Sequence, residues 1–225
     1  LYIWTRAEQQ LRMVSREMSN DSSPAWGPLG ERLFFRGLRG FQPRLSTTYE
    51  WDFQIDRGYG IYALALREDL PALLARRSDE AITEDPPASA DPTNDKKTPE
   101  FASPIAIDFD GLADRVETLP LPLDNYLRLS VANDNLLYAR RGGSYYGRGS
   151  DKPVTLHAFS WKDRSEEQLA SGIDGYYVSA DKAFVLINVG NKYLITKAAP
   201  AGKENQHQLD LSDLKSTKVA SDEYW

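Results

Sequence analysis

The 225-residue chain contains no cysteine and only two histidines and two methionines. Without thiols there is no disulfide, no thiolate nucleophile and no Cys-ligated metal. A cysteine-free chain suits cytoplasm and periplasm alike. Basic charge is also short, with 27 Lys and Arg against 33 Asp and Glu and a net charge of −6. That removes any general electrostatic case for nucleic acid or an anionic membrane as partner. No apolar run approaches the roughly 20 residues that span a bilayer, so a soluble chain is expected. No basic and apolar signal region precedes the first strand-like segment. Residue 1 is leucine and the chain opens directly on "LYIW". The expectation is a piece of a longer polypeptide, cytoplasmic, with the periplasm as the alternative.

What is present is mostly strand. "LYIWT", "RLFFRG", "GIYALAL", "IAIDF", "NLLYAR", "VTLHAFSW", "AFVLINV" and "KYLITKA" are short, rich in aromatic or β-branched residues, and bounded by turn formers. Helix has room only at residues 6–18 and 69–77. In the first, Leu11, Val14 and Met18 fall at helical spacing, but a hairpin fits equally well.

The strands recur in units. In "SSPAWGPLGERLFFRG" (22–37), "YLRLSVANDNLLYAR" (126–140) and "GYYVSADKAFVLIN" (175–188), a short aromatic strand meets a polar turn and then a more apolar strand. Each pair is followed by an apolar-aromatic-apolar strand: "IYALAL", "LHAFSW" and "KYLIT". "SWKDRSEEQLASG" and "DFDGLADRVETLPL" add a polar turn and an amphipathic strand. Four-stranded meanders repeated every ~40–45 residues are the mark of β-propeller blades. A small twisted sheet has two apolar faces and needs a neighbour on each. The expected fold is therefore all-β: propeller blades of four-stranded antiparallel sheets, about three to four of a larger ring. An incomplete ring would leave two apolar faces bare.

Residues 1–199 are taken as this propeller segment. Residues 38–58, with Phe41, Tyr49, Trp51 and Phe53, are expected to be an ordered excursion on one rim. Residues 77–104, rich in Pro, Ser and mixed charge, are expected to be a disordered insertion. Residues 200–225 leave the blade pattern and suggest a connector toward a following domain.

No complete catalytic constellation emerges, so no catalytic, cofactor-binding or metal residue is assigned and no cofactor is expected. His157 lies within a strand and suits a hydrogen-bonded structural role; His207 lies in a polar loop. Asp108-Phe109-Asp110-Gly111 with Asp114 has the start of a calcium loop, but position 112 is Leu and strands flank it. A strand-turn-strand corner at Gly111 is favoured. "ARRGGSYYGRGSDK" (139–152) mixes Arg, Gly and Tyr, as RNA-binding tracts do, yet a single tract in an acidic chain suits a long hairpin loop. No P-loop, G-x-S-x-G elbow or H-E-x-x-H helix occurs. The innermost strands offer mainly aromatics, hydroxyls and Arg128, which gives little support to an enzyme site in a central channel.

"SNDSSPAWGPLGERLFF" resembles the TolB-type propeller repeat, whose Ser-Pro-Asp-Gly turn separates two strands. Here that turn is Gly27-Pro28-Leu29-Gly30, and the third copy has Lys182 where Gly is usual. More specifically, "RGYGIYALALREDLPALLARRSDE", a charged spacer and "IAIDFDGLADRVETLPLPLDNYLRL" are similar to the second propeller of tricorn-type serine peptidases. The tail "LDLSDLKSTKVASDEYW" resembles that family's passage into its next domain. The resemblance implies a non-catalytic propeller portion of a tricorn-like serine peptidase, gating or scaffolding peptide access. The family's catalytic serine and histidine lie beyond this chain, so neither is carried over. Implied partners are peptides or a protein substrate, the rest of the parent chain and further copies in a homo-oligomer. The alternative is a stand-alone TolB-like module that binds a protein or peptide.

Overall fold

The computed structural model describes residues 1–16, 19–40, 44–45, 53–54, 56–74, 105–143 and 149–213. Apart from two 3-10 turns, its regular structure is β. The chain opens on a hairpin, β1 (Tyr2–Thr5) and β2 (Gln10–Met13), in antiparallel register Tyr2↔Met13 and Trp4↔Leu11. The ambiguous stretch 6–18 thus resolves into a turn and a strand over its described part. Residues 69–74 are turn and irregular chain; Pro71 lacks the N–H that a helix interior needs.

Three four-stranded antiparallel sheets follow. The first holds β3 (Asn20–Trp26), β4 (Arg32–Leu38), β7 (Gly60–Ala65) and β8 (Val116–Thr118), in that order. Two short paired strands, β5 (Arg44–Leu45) and β6 (Phe53–Gln54), lie between β4 and β7. The second holds β9 (Tyr126–Ala132), β10 (Asn135–Arg140), β11 (Thr155–Ser160) and β12 (Ser165–Ser171). The third holds β13 (Gly175–Val178), β14 (Phe184–Val189), β15 (Lys192–Lys197) and β16 (His207–Gln208). Sheet order equals chain order in each, the meander expected of propeller blades. With the opening hairpin, this makes three blades and a half-blade.

Burial explains the strand composition. Residues alternate between the two faces of a sheet, and here both faces are covered. In β4, Phe34 enters the core shared with the second blade, while Leu33 and Phe35 join Ile3 and Val14 on the hairpin side. In β10, Leu136 and Tyr138 face the first blade, and Leu137 and Ala139 face Val185 and Ile187 of the third. β7 is buried along its whole length, hence the unbroken apolar run "GIYALA" in place of polar alternation.

The first and third blades share one turn geometry. Gly27 N–H donates to Arg32 C=O (2.8 Å) and Gly30 N–H to Gly27 C=O (3.2 Å); Ser179 to Phe184 (2.9 Å) and Lys182 to Ser179 (2.9 Å) repeat the pattern. Gly30 and Lys182 both hold a left-handed backbone, φ 69° and 58°. Glycine adopts that geometry at no steric cost and lysine does not. In the third copy the Ser179 and Asp181 side chains compensate by accepting from the N–H groups of Phe184 (3.0 Å) and Ala183 (3.1 Å).

Both ends of the arc carry exposed apolar side chains. Tyr2, Trp4, Leu11 and Met13 are exposed on the opening hairpin, and Tyr177 and Phe184 on the third blade. Of residues 200–225, the 3-10 turn Pro200–Asn205 packs on β12 and β15, and His207–Gln208 pair with β15. The start of the expected connector therefore completes the third blade. The insertion 77–104 lies outside the described residues, as do most of 41–55.

Candidate functional site

Two constellations stand out, one on the first strands of the blades and one in the seam between the first two blades. The first strands approach one another, with β3 beside β9. Two of them carry bulges. Ser22 pairs with Arg36 and Ala25 with Phe34, and Ser23 takes φ 55°. Leu129 pairs with Tyr138 and Leu127 with Ala139, which leaves Arg128 out of the register at φ 35°. Bulges commonly re-aim a side chain. Here the Arg128 guanidinium sits 5.1 Å from the ring centre of Tyr177 and 5.4 Å from that of Tyr176, within cation–π range. The freed Arg128 carbonyl accepts from the Tyr176 hydroxyl at 2.6 Å, a bond across the blade boundary. Burial pushes the Tyr176 phenol up to about 12, so the hydroxyl remains a donor at physiological pH. Tyr177 is 62% exposed and Trp26 is also exposed. Arg128 thus stands beside the exposed ring of Tyr177, while Trp26 presents its ring at the end of β3.

The seam constellation is polar and largely buried. Tyr138 stacks on His157 (5.8 Å, 3°) and meets Tyr126 edge-on (5.3 Å). Arg140 lies over both tyrosine rings at 5.5 and 5.3 Å. Its Nη2 is 2.7 Å from Glu166 Oε1, and its Nε is 3.8 Å from Asp124. His157 Nδ1 is 3.0 Å from the same Glu166 oxygen, and Nε2 is 2.9 Å from Thr155 Oγ1. The approaches to Glu166 Oε1 are off line for good hydrogen bonds, so charge pairing is what holds this oxygen. Burial pushes the Glu166 carboxyl up, but His157 and Arg140 outweigh it and hold it below its ordinary value. Burial also pushes the Tyr126 phenol up to about 12, and raises that of Tyr138 further.

His157 Nδ1 faces the Glu166 carboxylate and Nε2 faces the Thr155 hydroxyl. Thr155, His157 and Glu166 then stand in the hydroxyl–base–acid order of a nucleophilic relay. Two features turn it toward structure. Glu166 is shared with Arg140, and the imidazole is buried and stacked on Tyr138. His157 was expected to be a hydrogen-bonded strand residue; its carboxylate partner Glu166 went unrecognised. The signal was available, because the 161–164 turn pairs Phe159 with Glu166 and His157 with Gln168, placing Glu166 on the His157 face.

At the Asp108–Asp114 corner, the Arg115 guanidinium donates to the carbonyls of Asp108 and Asp110, and Asp114 pairs with Arg16 at 2.6 Å. A side-chain cation thus satisfies the oxygens of this turn. Gly111 takes φ 65° and opens the 3-10 turn Leu112–Asp114. In the 139–152 tract the described ends are tied down: Asp151 N–H donates to Gly143 C=O, and Asn125 Nδ2 donates to Gly142 C=O at 3.4 Å. His207 lies exposed on β16.

These blades are of the β-propeller class. No family model matches the sequence, and no curated protein matches it either. Among solved structures, the crystal structure of the tricorn protease is similar, with a TM-score of 0.67 over 95% of this chain at 13% identity. The likeness is one of fold. This chain spans 19% of that protein's length.

Proposed function

We propose that the chain is a non-catalytic propeller segment of a tricorn-like serine peptidase, corresponding to part of its second propeller, that shapes peptide passage toward a catalytic domain carried elsewhere. The observation that carries this reading is the open arc. Three blades and a half-blade, in a fold similar to the tricorn protease, carry exposed apolar side chains at both ends. Such faces are what a blade buries against its neighbours, so further blades would complete the ring. Arg128, Tyr177 and Trp26 support a passage role, since a cation and aromatic surfaces grip an extended peptide without reading one sequence. The parent chain is the primary partner, with peptides in transit and further copies of the assembly as the others. A cytoplasmic site fits a cysteine-free chain.

A stand-alone peptide-binding module is the second reading. Continuation of the parent reading frame for several hundred residues past Trp225 decides for the peptidase; a stop soon after decides for the module. The chain incubated with unstructured peptides is expected to give no hydrolysis. Turnover that disappears in Thr155→Ala or His157→Ala would refute the non-catalytic assignment and make the seam relay an active site.

A further inference from the structure

The polar seam opens at the rim into a cleft of about 390 Å3, within the size range of small-ligand sites. Arg57, Arg140, Arg141 and Lys152 line it against one carboxylate, Asp124, with the Thr155 hydroxyl alongside. Arg57 and Arg140 are paired with acids, which leaves Arg141 and Lys152 as the cations of this lining without an acidic partner among the described residues. From these observations we infer that the cleft binds an oxyanion, the carboxylate or phosphate group of a small ligand.

Of the acids that neutralise the inner arginines, Asp124 is on the cleft wall and the others stand behind it. Arg57 is 3.4 Å from Asp151 and 3.8 Å from Asp56, and Arg140 is 2.7 Å from Glu166. Both also stand 3.8 Å from Asp124. These contacts fix two guanidinium groups before a ligand arrives, which cuts the ordering cost of binding. Arg141 and Lys152 are exposed, and neither has an acidic partner among the described residues. Gly142 brings the two together. A Cβ there would fall 1.9 Å from Asp151 Oδ1 and 2.7 Å from Lys152 N, so the chain folds back on itself as closely as glycine permits.

Guanidinium groups pair with carboxylate and phosphate oxygens through parallel N–H bonds, and an ammonium adds a point charge. An oxyanion there would pair with Arg141 and Lys152, which have no acidic partner among the described residues. A cation ligand would meet the opposite, with a single carboxylate to hold it. A free phosphate and the carboxylate of an acidic small molecule offer the same oxygens, so the experiment must separate them. The inference does not depend on the peptidase reading.

The test titrates the 225-residue chain with inorganic phosphate and, separately, with succinate. Sodium chloride holds the ionic strength constant, and amide chemical shifts report binding. At least one anion is expected to saturate at millimolar levels, with shifts centred on Arg141, Gly142 and Lys152. Phosphate alone would assign a phosphoryl ligand; succinate alone, or both, would assign a carboxylate-compatible site. The Arg141→Gln/Lys152→Gln double variant should bind about tenfold more weakly or worse, since it loses both unpaired cations. Lys152→Glu alone should weaken binding comparably, and it leaves the Gly142 backbone intact should the double variant fold poorly. Absence of saturable shifts with either anion, or unchanged affinity in these variants, would overturn the inference.

Discussion

Removing one oxygen atom tests whether the Arg128 bulge is held from the neighbouring blade. In Tyr176→Phe the ring stays in the core between the second and third blades, so almost no packing is lost. The Tyr176 hydroxyl has two carbonyls within reach, Arg128 at 2.6 Å and Leu137 at 3.2 Å. It carries one proton, and the shorter contact identifies the acceptor. Arg128 lies outside the β9–β10 register, so its carbonyl loses this cross-blade donor. A net hydrogen bond contributes about 0.5–1.5 kcal/mol, and the short, part-buried geometry of this one places its loss at about 1.5 kcal/mol. At roughly 2–4 °C per kcal/mol for a chain of this size, melting should fall by about 3–6 °C. Tyr193→Phe is the control, since that hydroxyl makes no hydrogen bond to another described residue and should be nearly neutral. Differential scanning calorimetry gives the shift, and faster amide exchange around Leu129 would place it at the bulge. A melting temperature within about 1 °C of the parent, with unchanged exchange, would show that the bulge needs no brace from β13.

Three further outcomes test the packing, a turn and the polar seam. Phe34→Ala empties a buried site stacked at 5.0 Å on Trp161, so urea unfolding should register a loss of about 3–5 kcal/mol. Lys182→Gly should raise stability by about 0.5–1 kcal/mol, because φ 58° strains lysine and not glycine; a loss in the same assay would contradict the turn geometry. Glu166 is held below its ordinary 4.5 in the folded chain. Its contribution is therefore fully present above that value and disappears as the pH falls through the lower folded value. Glu166→Gln should accordingly flatten the acid limb of a stability–pH curve, leaving a lower plateau at neutral pH.

The blades were legible because their cause is local. Strands buried on both faces must be short, apolar and β-branched or aromatic, and turns between them must be polar; "RLFFRG" and "GIYALAL" announce themselves on those terms. The unit count and the bare ends followed from the same logic. The bulges at Ser23 and Arg128 were not legible, since a one-residue register slip leaves no mark on composition. Residues 6–18 were ambiguous because Leu11, Val14 and Met18 suit a helical stripe, and only the tertiary pairing of Leu11 with Trp4 selects the hairpin. The contact of the connector expected from residue 200 with the third blade was hidden for a related reason. Its first residues carry little apolar signal, yet Lys203 pairs with Glu167 at 2.9 Å and Gln206 donates to the Leu169 carbonyl.

The polar seam is the part that a repeat pattern cannot supply, and it addresses a problem that repetition creates. Similar apolar faces can stack in the wrong order, a known failure mode of repeat proteins. The core between the second and third blades is built almost wholly from Leu, Ile, Val and Ala around Tyr176. The seam between the first and second differs, because Arg140, His157 and Glu166 of the second blade line it and pair with one another within that blade. Arg36 of the first blade completes the match by donating to the Tyr126 carbonyl while lying over the Tyr59 ring. A wrong neighbour would leave that carbonyl without its donor, while Arg36 would keep only its hydrogen bond to Ser22 within the first blade. Buried charge deprived of its partner costs several kcal/mol even where the intact pair adds little. Among these contacts it is the Arg36–Tyr126 bond that crosses the seam, so the penalty on misassembly rests on it and not on the Arg140–His157–Glu166 cluster, whose partners all belong to the second blade.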